Sequence, residues 1–532
     1  MLRLLIVACL FVTCLALGVP ASATPTDTLR TRAERTEYRA TSRYADVVAF
    51  VDAVDAEPGV HATSFGRTVE GRALPLVVWG ADAATPEAVR AAGKLRVLVF
   101  ANIHAGEVAG KEAALMLLRD LAAGEHPAWS ESLTLLVVPI YNADGNERID
   151  SGNRPFQHGP VDGMGQRANA QGLDLNRDFV KLDAPESRAL VGVMNRYDPH
   201  VVIDLHTTNG TVHGYHLTYA PPLHPNTPAA IDSLLREAWL PDVTEAYGDR
   251  YGWDITFYGN DKPEWGQPRG WATFDPRPRF GTNYAGLRGR VGILSEAYSY
   301  ATFRDRVLAT LRFVTETLDW AAANAVSIRR AVAEAERSVV GDELWLRSAR
   351  TWEASDEPES ILLGGVVEEA NPHTGEPMWR RTDEQTPTEM TVYGRFSGRE
   401  RETAPAAYLV PDTLTTVIER LAAHGVRMVP LVASGPVSVE AFRIDSVRTA
   451  TRPFQRRYER ELYGRYRSET LDPDADALVV PVDQPLGRLA FSLLEPRSDS
   501  GFANWGFIGA QAGETYPIRR IVDADEAASP TQ

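Results

Sequence analysis

The chain has 532 residues, 44% apolar and 24% charged, with a formal net charge of −16. That length exceeds the usual size of a single core and predicts two or more domains. The acidic balance argues against a nucleic-acid partner or an anionic membrane surface, since both attract basic proteins.

The opening MLRLLIVACLFVTCLALGVPASA has a short basic start, an apolar run and a small-residue ending, Ala21-Ser22-Ala23. It reads as a secretory signal peptide, residues 1–23, cleaved after Ala23. Its apolar run of about 15 residues falls short of the roughly 20 needed to span a bilayer. The expected location is secreted or periplasmic, with no membrane span after signal cleavage. Cys9 and Cys14 both lie in this segment, so the mature chain is expected to hold no thiol and no disulfide.

After a leader over 24–40, Tyr44 to Val54 has helical apolar spacing, and Leu74 to Trp79 reads as a strand after the turn-prone GRTVEGR. Leu95 to Asn102 follows as a buried strand and Ala109 to Ala123 as a helix ended by Gly124. Leu133 to Tyr141 is another apolar run, closed by the turn Asn142-Ala143-Asp144-Gly145. Val201 to Leu205 and Val291 to Leu294 read as further strands, and Asp305 to Ala322 as a helix. Strands without alternation, separated by helical segments, imply an α/β fold over residues 41–325: a mostly parallel mixed sheet with helices on both faces.

Residues 326–532 have a different texture and are expected to form a smaller C-terminal accessory domain, α+β or β-rich, without recognisable chemistry. Ser327 to Val339 and Leu414 to His424 read as helices, Ala477 to Val482 and Leu489 to Leu494 as short strands, and Arg380 to Pro405 as a polar surface excursion. The motifs DQPLGRLAFSLLEP and FANWGF suggest packing of this domain against the first.

The chemistry concentrates where strands end. In VFANIHAGEVAGKEA, a strand runs into a helix and places His104 and Glu107 three residues apart, with small neighbours, Ala105 and Gly106, that let the backbone turn tightly. Imidazole and carboxylate are both zinc ligands, and an open catalytic zinc site takes three protein ligands. In VVIDLHTTNG, His206 also falls at the carboxyl end of an apolar strand, where open parallel sheets bind ligands.

With GLDLNRDF and ILSEAYSY in the same chain, roughly residues 40 to 325 resemble the zinc carboxypeptidases, the family of carboxypeptidase A. The motifs come in the family's order: His104-xx-Glu107, the Asn142 to Gly145 turn, Asp174-Leu175-Asn176-Arg177, His206, and Glu296 at the end of a late strand. The resemblance implies a bacterial secreted member with an extra C-terminal domain, in which His104, Glu107 and His206 bind one zinc ion (Zn2+) and leave a position for water. Glu296 is then the general base. Asp174 accepts a hydrogen bond from a zinc-bound histidine, His104, while Asn176 and Arg177 grip the substrate's free terminal carboxylate. The family's oxyanion-stabilising arginine falls among Arg148, Arg154 and Arg167; Arg154 fits the local pattern best, although a gap-free match from Gly145 lands on Gln157. For the mobile tyrosine that closes over the substrate, Tyr284 is the candidate, with Tyr298 and Tyr258 as alternatives.

His213 and His216 form an HxxH, but positions three apart in an extended segment face opposite sides, which disfavours a second metal. Trp253, Trp265 and Trp271 group with Tyr258 in a Gly/Pro-rich stretch, either as a substrate-facing loop or as a packed lid. Arg288 or Arg290 either selects acidic terminal residues or pairs with an acid in the fold. The expected protein is a secreted zinc metallocarboxypeptidase that hydrolyses the C-terminal peptide bond of peptides with a free terminal carboxylate. Alternatives are a cell-wall peptide carboxypeptidase or amidase of the same chemistry, an acylase-like amidohydrolase, and a non-catalytic binding protein with a relic zinc site.

Overall fold

The computed structural model describes residues 29–208, 210–261, 269–348, 352–371, 374–431, 435–471 and 477–522. The signal segment 1–23 and Trp265 lie outside the described residues.

The main sheet contains β1 (Val60–Arg67), β2 (Ala73–Trp79), β3 (Leu95–Ala101), β4 (Leu133–Val138), β5 (Val201–Thr207), β6 (Leu217–Ala220), β7 (Ile255–Phe257) and, after the two-residue β8 (Trp271–Ala272), β9 (Val291–Ala297). The order across it is β1-β2-β4-β3-β5-β9-β6-β7. Strands β4, β3, β5 and β9 run parallel at its centre, while β2 and β6 run antiparallel to their inner neighbours. Every residue of β4 and β5 is buried, as parallel strands covered on both faces require. The helix Phe303–Ala323 packs on Val108–Ala122, and Pro185–Tyr197 packs against β1. This is the expected mixed α/β sheet, and it sets the carboxyl ends of β3, β5 and β9 side by side.

The C-terminal part adds a six-stranded sheet built on Ala407–Val410, Val437–Thr449, Arg460–Leu471 and Thr515–Ile521. A separate long hairpin, Glu359–Ala370 with Pro377–Met390, lies against the α/β part, its Leu362 N–H donating to the Tyr215 hydroxyl at 2.9 Å and Arg381 to Gly214 O at 2.7 Å. Arg380 to Pro405 therefore lies largely in strands. Leu489 to Leu494 corrects the sequence reading: it is the end of a helix, Gly487–Leu494, whose residues from Leu489 onward are all buried. A short apolar run buried on every side carries no periodicity that separates helix from strand. Buried apolar residues form one continuous cluster from Val47 to Ile518, and β8 pairs with Val392–Tyr393, so the two parts share a core.

Candidate active site

β3 ends at Ala101, and Asn102 follows with φ 68°, a left-handed turn that asparagine tolerates better than most residues. The chain leaves the sheet there and brings Glu107 to the N-cap position of the helix Val108–Ala122, whose positive end favours a carboxylate. The tight turn thus belongs to Asn102. Gly106 serves a different need, because a Cβ on it would lie 2.8 Å from Gly165 O and 3.1 Å from Arg154 Nε.

His206, next to last in β5, faces the same point. His104 Nδ1 lies 2.9 Å from Glu107 Oε1, and His206 Nδ1 lies 2.8 Å from Glu107 Oε2. All three side chains are buried, with ligand atoms within 4.8 Å of one another, and they are the only such metal-competent group among the described residues. Each ring is held at its far nitrogen by a second carboxylate. His104 Nε2 is 3.0 Å from Asp174 Oδ1, and His206 Nε2 is 2.9 Å from Asp204 Oδ2, an ion-pair contact off the hydrogen-bonding direction. Two imidazoles and a carboxylate facing inward, with outer carboxylates orienting the rings, fit a zinc ion by donor type and by support.

Glu296 stands opposite His206 in the parallel register of β5 and β9, and its shielded Oε2 has no hydrogen-bond partner. Burial, with the charge of Glu107 adding and that of His206 opposing, pushes its carboxyl up to about 8. Glu107 moves the other way: burial disfavours its charge, but His104, Arg154 and His206 outweigh that and hold it well below the usual carboxylate range. Asp174 is held low against burial by His104, Arg177 and Arg167. His206 is raised, because Asp204 and Glu107 overcome the burial that favours its neutral ring. Carboxyl groups driven apart within one site are equipped for different tasks.

Asp174 caps the single turn Leu175–Arg177 by accepting the Asn176 N–H at 2.9 Å. Asn176 Nδ2 reaches to 3.5 Å from His206 Nε2, while its Oδ1 accepts the Gly281 N–H at 2.9 Å. The Arg177 guanidinium lies 3.9 Å from the centre of the Phe280 ring and remains 22% exposed, open to a ligand. Of the three candidate arginines, Arg154 donates to Glu107 Oε1. Arg167 bonds Asp174 Oδ2 at 2.8 Å, and Arg148 turns away to Glu70 at 2.7 Å. Gln157 donates to Ser299 Oγ at 3.1 Å. The Asn142 turn is a staple: Asn142 Nδ2 ties Ile103 O to Arg167 O at 3.3 and 3.1 Å.

Several expectations are corrected. Tyr284 is not poised over the site: it is fully buried, its hydroxyl 2.7 Å from His424 Nδ1 and accepting from Arg288 at 3.2 Å. Tyr298 is also buried, against His213 at 4.2 Å between ring centres. Arg288 bonds His424 O and Asn195, both at 2.9 Å, and Arg290 pairs with Asp198 and Glu336. Both precede β9, at the opposite end from Glu296, which rules them out as selectors of a terminal residue. His216 stacks on Trp253 and His213 lies tilted against Tyr298, so the HxxH holds no shared point. Trp271 is buried and bonds Phe257 O at 3.0 Å, apart from Trp253.

Two features escaped the sequence reading. Asp204 lies two residues before His206, on the same face of β5, and period-two alternation alone points to it. A run of half-buried rings, Phe280, Phe274 and Tyr258, begins under Arg177 with centres 5.4 and 5.7 Å apart; the distances follow only from the fold.

A covered α/β sheet bearing a His-Glu-His cluster and an unpaired glutamate at its carboxyl edge defines a metal-dependent hydrolase. The model of the zinc carboxypeptidase family matches residues 47–272. Among curated relatives, "Carboxypeptidase 2" of Trichophyton rubrum is 24% identical over 504 residues, covering 87% of this chain and 82% of its own. Human "Carboxypeptidase D" is 30% identical over 164 residues, which are 25% of this chain and 12% of its own. Among solved structures, a metallo-carboxypeptidase from Burkholderia cenocepacia aligns with TM-score 0.39 at 21% identity, covering 54% of this chain and 69% of its own. Over residues 47–272 the chain is therefore similar to the zinc carboxypeptidases, and over most of its length to the carboxypeptidase of Trichophyton rubrum. It is a peptide hydrolase, and zinc is its metal.

Proposed function

We propose that the protein is a secreted metallocarboxypeptidase that removes the last residue of peptides, with Glu296 as general base. The observation that carries this reading is the convergence of His104, Glu107 and His206 within 4.8 Å, with Glu296 in register beside His206. A zinc ion held by His104, Glu107 and His206 would supply Lewis acidity and make water easier to deprotonate.

The protein's own groups do the rest. Glu296 takes a proton from the attacking water and returns it to the leaving amine, a task open to its Oε2, which has no hydrogen-bond partner within the protein. Arg154, beside Glu107, supplies fixed positive charge where the oxyanion develops. The planar fork of Arg177 takes a terminal carboxylate through two parallel hydrogen bonds, with Asn176 as a further donor. Asp174 and Asp204 hold the imidazoles in one orientation. The signal-like start supports export. No helix among the described residues is long and apolar enough to cross a membrane.

The test is a panel of peptides, free or amidated at the carboxyl end, assayed with and without a chelator. Stepwise release of single terminal residues from the free acids, lost on chelation and regained with zinc, is expected. Release of internal fragments alone, or turnover indifferent to metal removal, refutes the reading.

A further inference from the structure

One tight turn of the C-terminal part reaches the loop that carries Asp174. In Phe454-Gln455-Arg456-Arg457, the Phe454 N–H donates to Arg457 O at 2.8 Å and the Arg457 N–H to Phe454 O at 3.0 Å. Gln455 and Arg456 have φ of 49° and 65°. This is a type I′ geometry, in which Asn-Gly is the ordinary choice, and residues with a Cβ hold it only where their surroundings over-determine it.

Those surroundings are one loop of the α/β part, residues 171–183. Gln455 Oε1 accepts the Asp174 N–H at 2.9 Å. Arg456 donates to Gln171 O. Arg457 grips Asp183 through Nε at 2.8 Å and Nη2 at 2.9 Å. Phe454 packs beside Arg279, a buried guanidinium 4.5 Å from the centre of the Trp505 ring and bonded to Glu459. All four turn residues therefore engage the α/β part, three of them on the loop that carries Asp174, Asn176 and Arg177.

We propose that Gln455 and Arg456 are positioning residues of the active site. By bracing the backbone at Gln171 and Asp174, they hold the Asp174 carboxylate on His104 and set the height of the Asn176-Arg177 step, so metal affinity and substrate grip depend on the C-terminal part. This inference rests on the roles proposed above for Asp174 and Arg177.

The test uses the full chain. Glycine adopts positive φ without strain, so Q455G/R456G keeps the turn while deleting both anchors. Zinc affinity, measured by chelator competition, is expected to fall about tenfold. Amide exchange across 171–178 should quicken in the metal-free protein, and KM should rise more than kcat falls. Q455E retains an acceptor and should retain wild-type zinc affinity and exchange, a rescue that a merely structural role would not give; the single Q455G tests the same point with one anchor left. D174N separates the two levels of the argument. If D174N weakens zinc binding while Q455G/R456G changes neither affinity nor exchange, the brace is overturned alone. If D174N also leaves affinity unchanged, the role of Asp174 falls and the brace with it.

Discussion

Replacing Glu296 with Gln keeps the side-chain volume and removes the ionisable oxygen. For catalysis, loss of a general base is worth about 10²- to 10⁴-fold in kcat, or about 3 to 5 kcal/mol of barrier. Zinc affinity is expected to hold, because His104, Glu107 and His206 are all left intact. Stability supplies an independent readout in the metal-free protein. The folded carboxyl is raised from the ordinary 4.5 to about 8. Between those values the folded state keeps a proton that the unfolded state has released, so the contribution of Glu296 to stability is greatest below about pH 4.5 and falls as pH rises towards 8. The full rise corresponds to at most about 4 to 5 kcal/mol; partial exposure of the residue reduces the expected loss to roughly 2 to 3 kcal/mol. Urea unfolding of metal-stripped wild type and E296Q at pH 5 and pH 8 measures it, the wild type losing more than the variant by that amount. Turnover within tenfold of wild type, or parallel pH dependences for the two proteins, would refute the assignment.

Arg177→Lys keeps the charge but not the fork; KM for free-acid peptides should rise at least about tenfold, and an equal rise for amidated peptides would show that the residue does not read the carboxylate. Tyr284→Phe should leave kcat and KM unchanged while costing about 1 to 2 kcal/mol of stability through the lost bonds to His424 and Arg288; a selective fall in kcat would restore it as the closing tyrosine. In the C-terminal part, Glu495 is enclosed by Arg520 at 2.6 and 2.8 Å, Tyr408 at 2.6 Å and Tyr466 at 3.0 Å. Glu495→Gln should cost about 3 kcal/mol, read as a lower urea midpoint at unchanged slope; a loss under about 1 kcal/mol would mean that the remaining acids on Arg520, Glu402 and Glu440, suffice.

Much of the site was legible because its information is local. His104 and Glu107 share one strand-to-helix turn, and the apolar runs before Glu107, His206 and Glu296 announce strands whose carboxyl ends gather in a parallel sheet. The same locality explains the failures. Tyr284 has the family's residue type near the family's place, but its burial is decided by His424, which packs on it from 140 residues away. Leu489 to Leu494 reads as a strand because a fully buried segment shows no face.

By itself, the amino-acid order pointed to the α/β class through strand periodicity, which acts over a few residues, and its ordered motifs, through the resemblance they carry, pointed to His104, Glu107, His206 and Glu296 as one group. Tertiary structure alone decided which arginine meets Glu107, which tyrosine is locked away, and that Gln455 touches Asp174 across 281 residues of chain. Such contacts depend on how distant elements pack, and no short-range pattern encodes that.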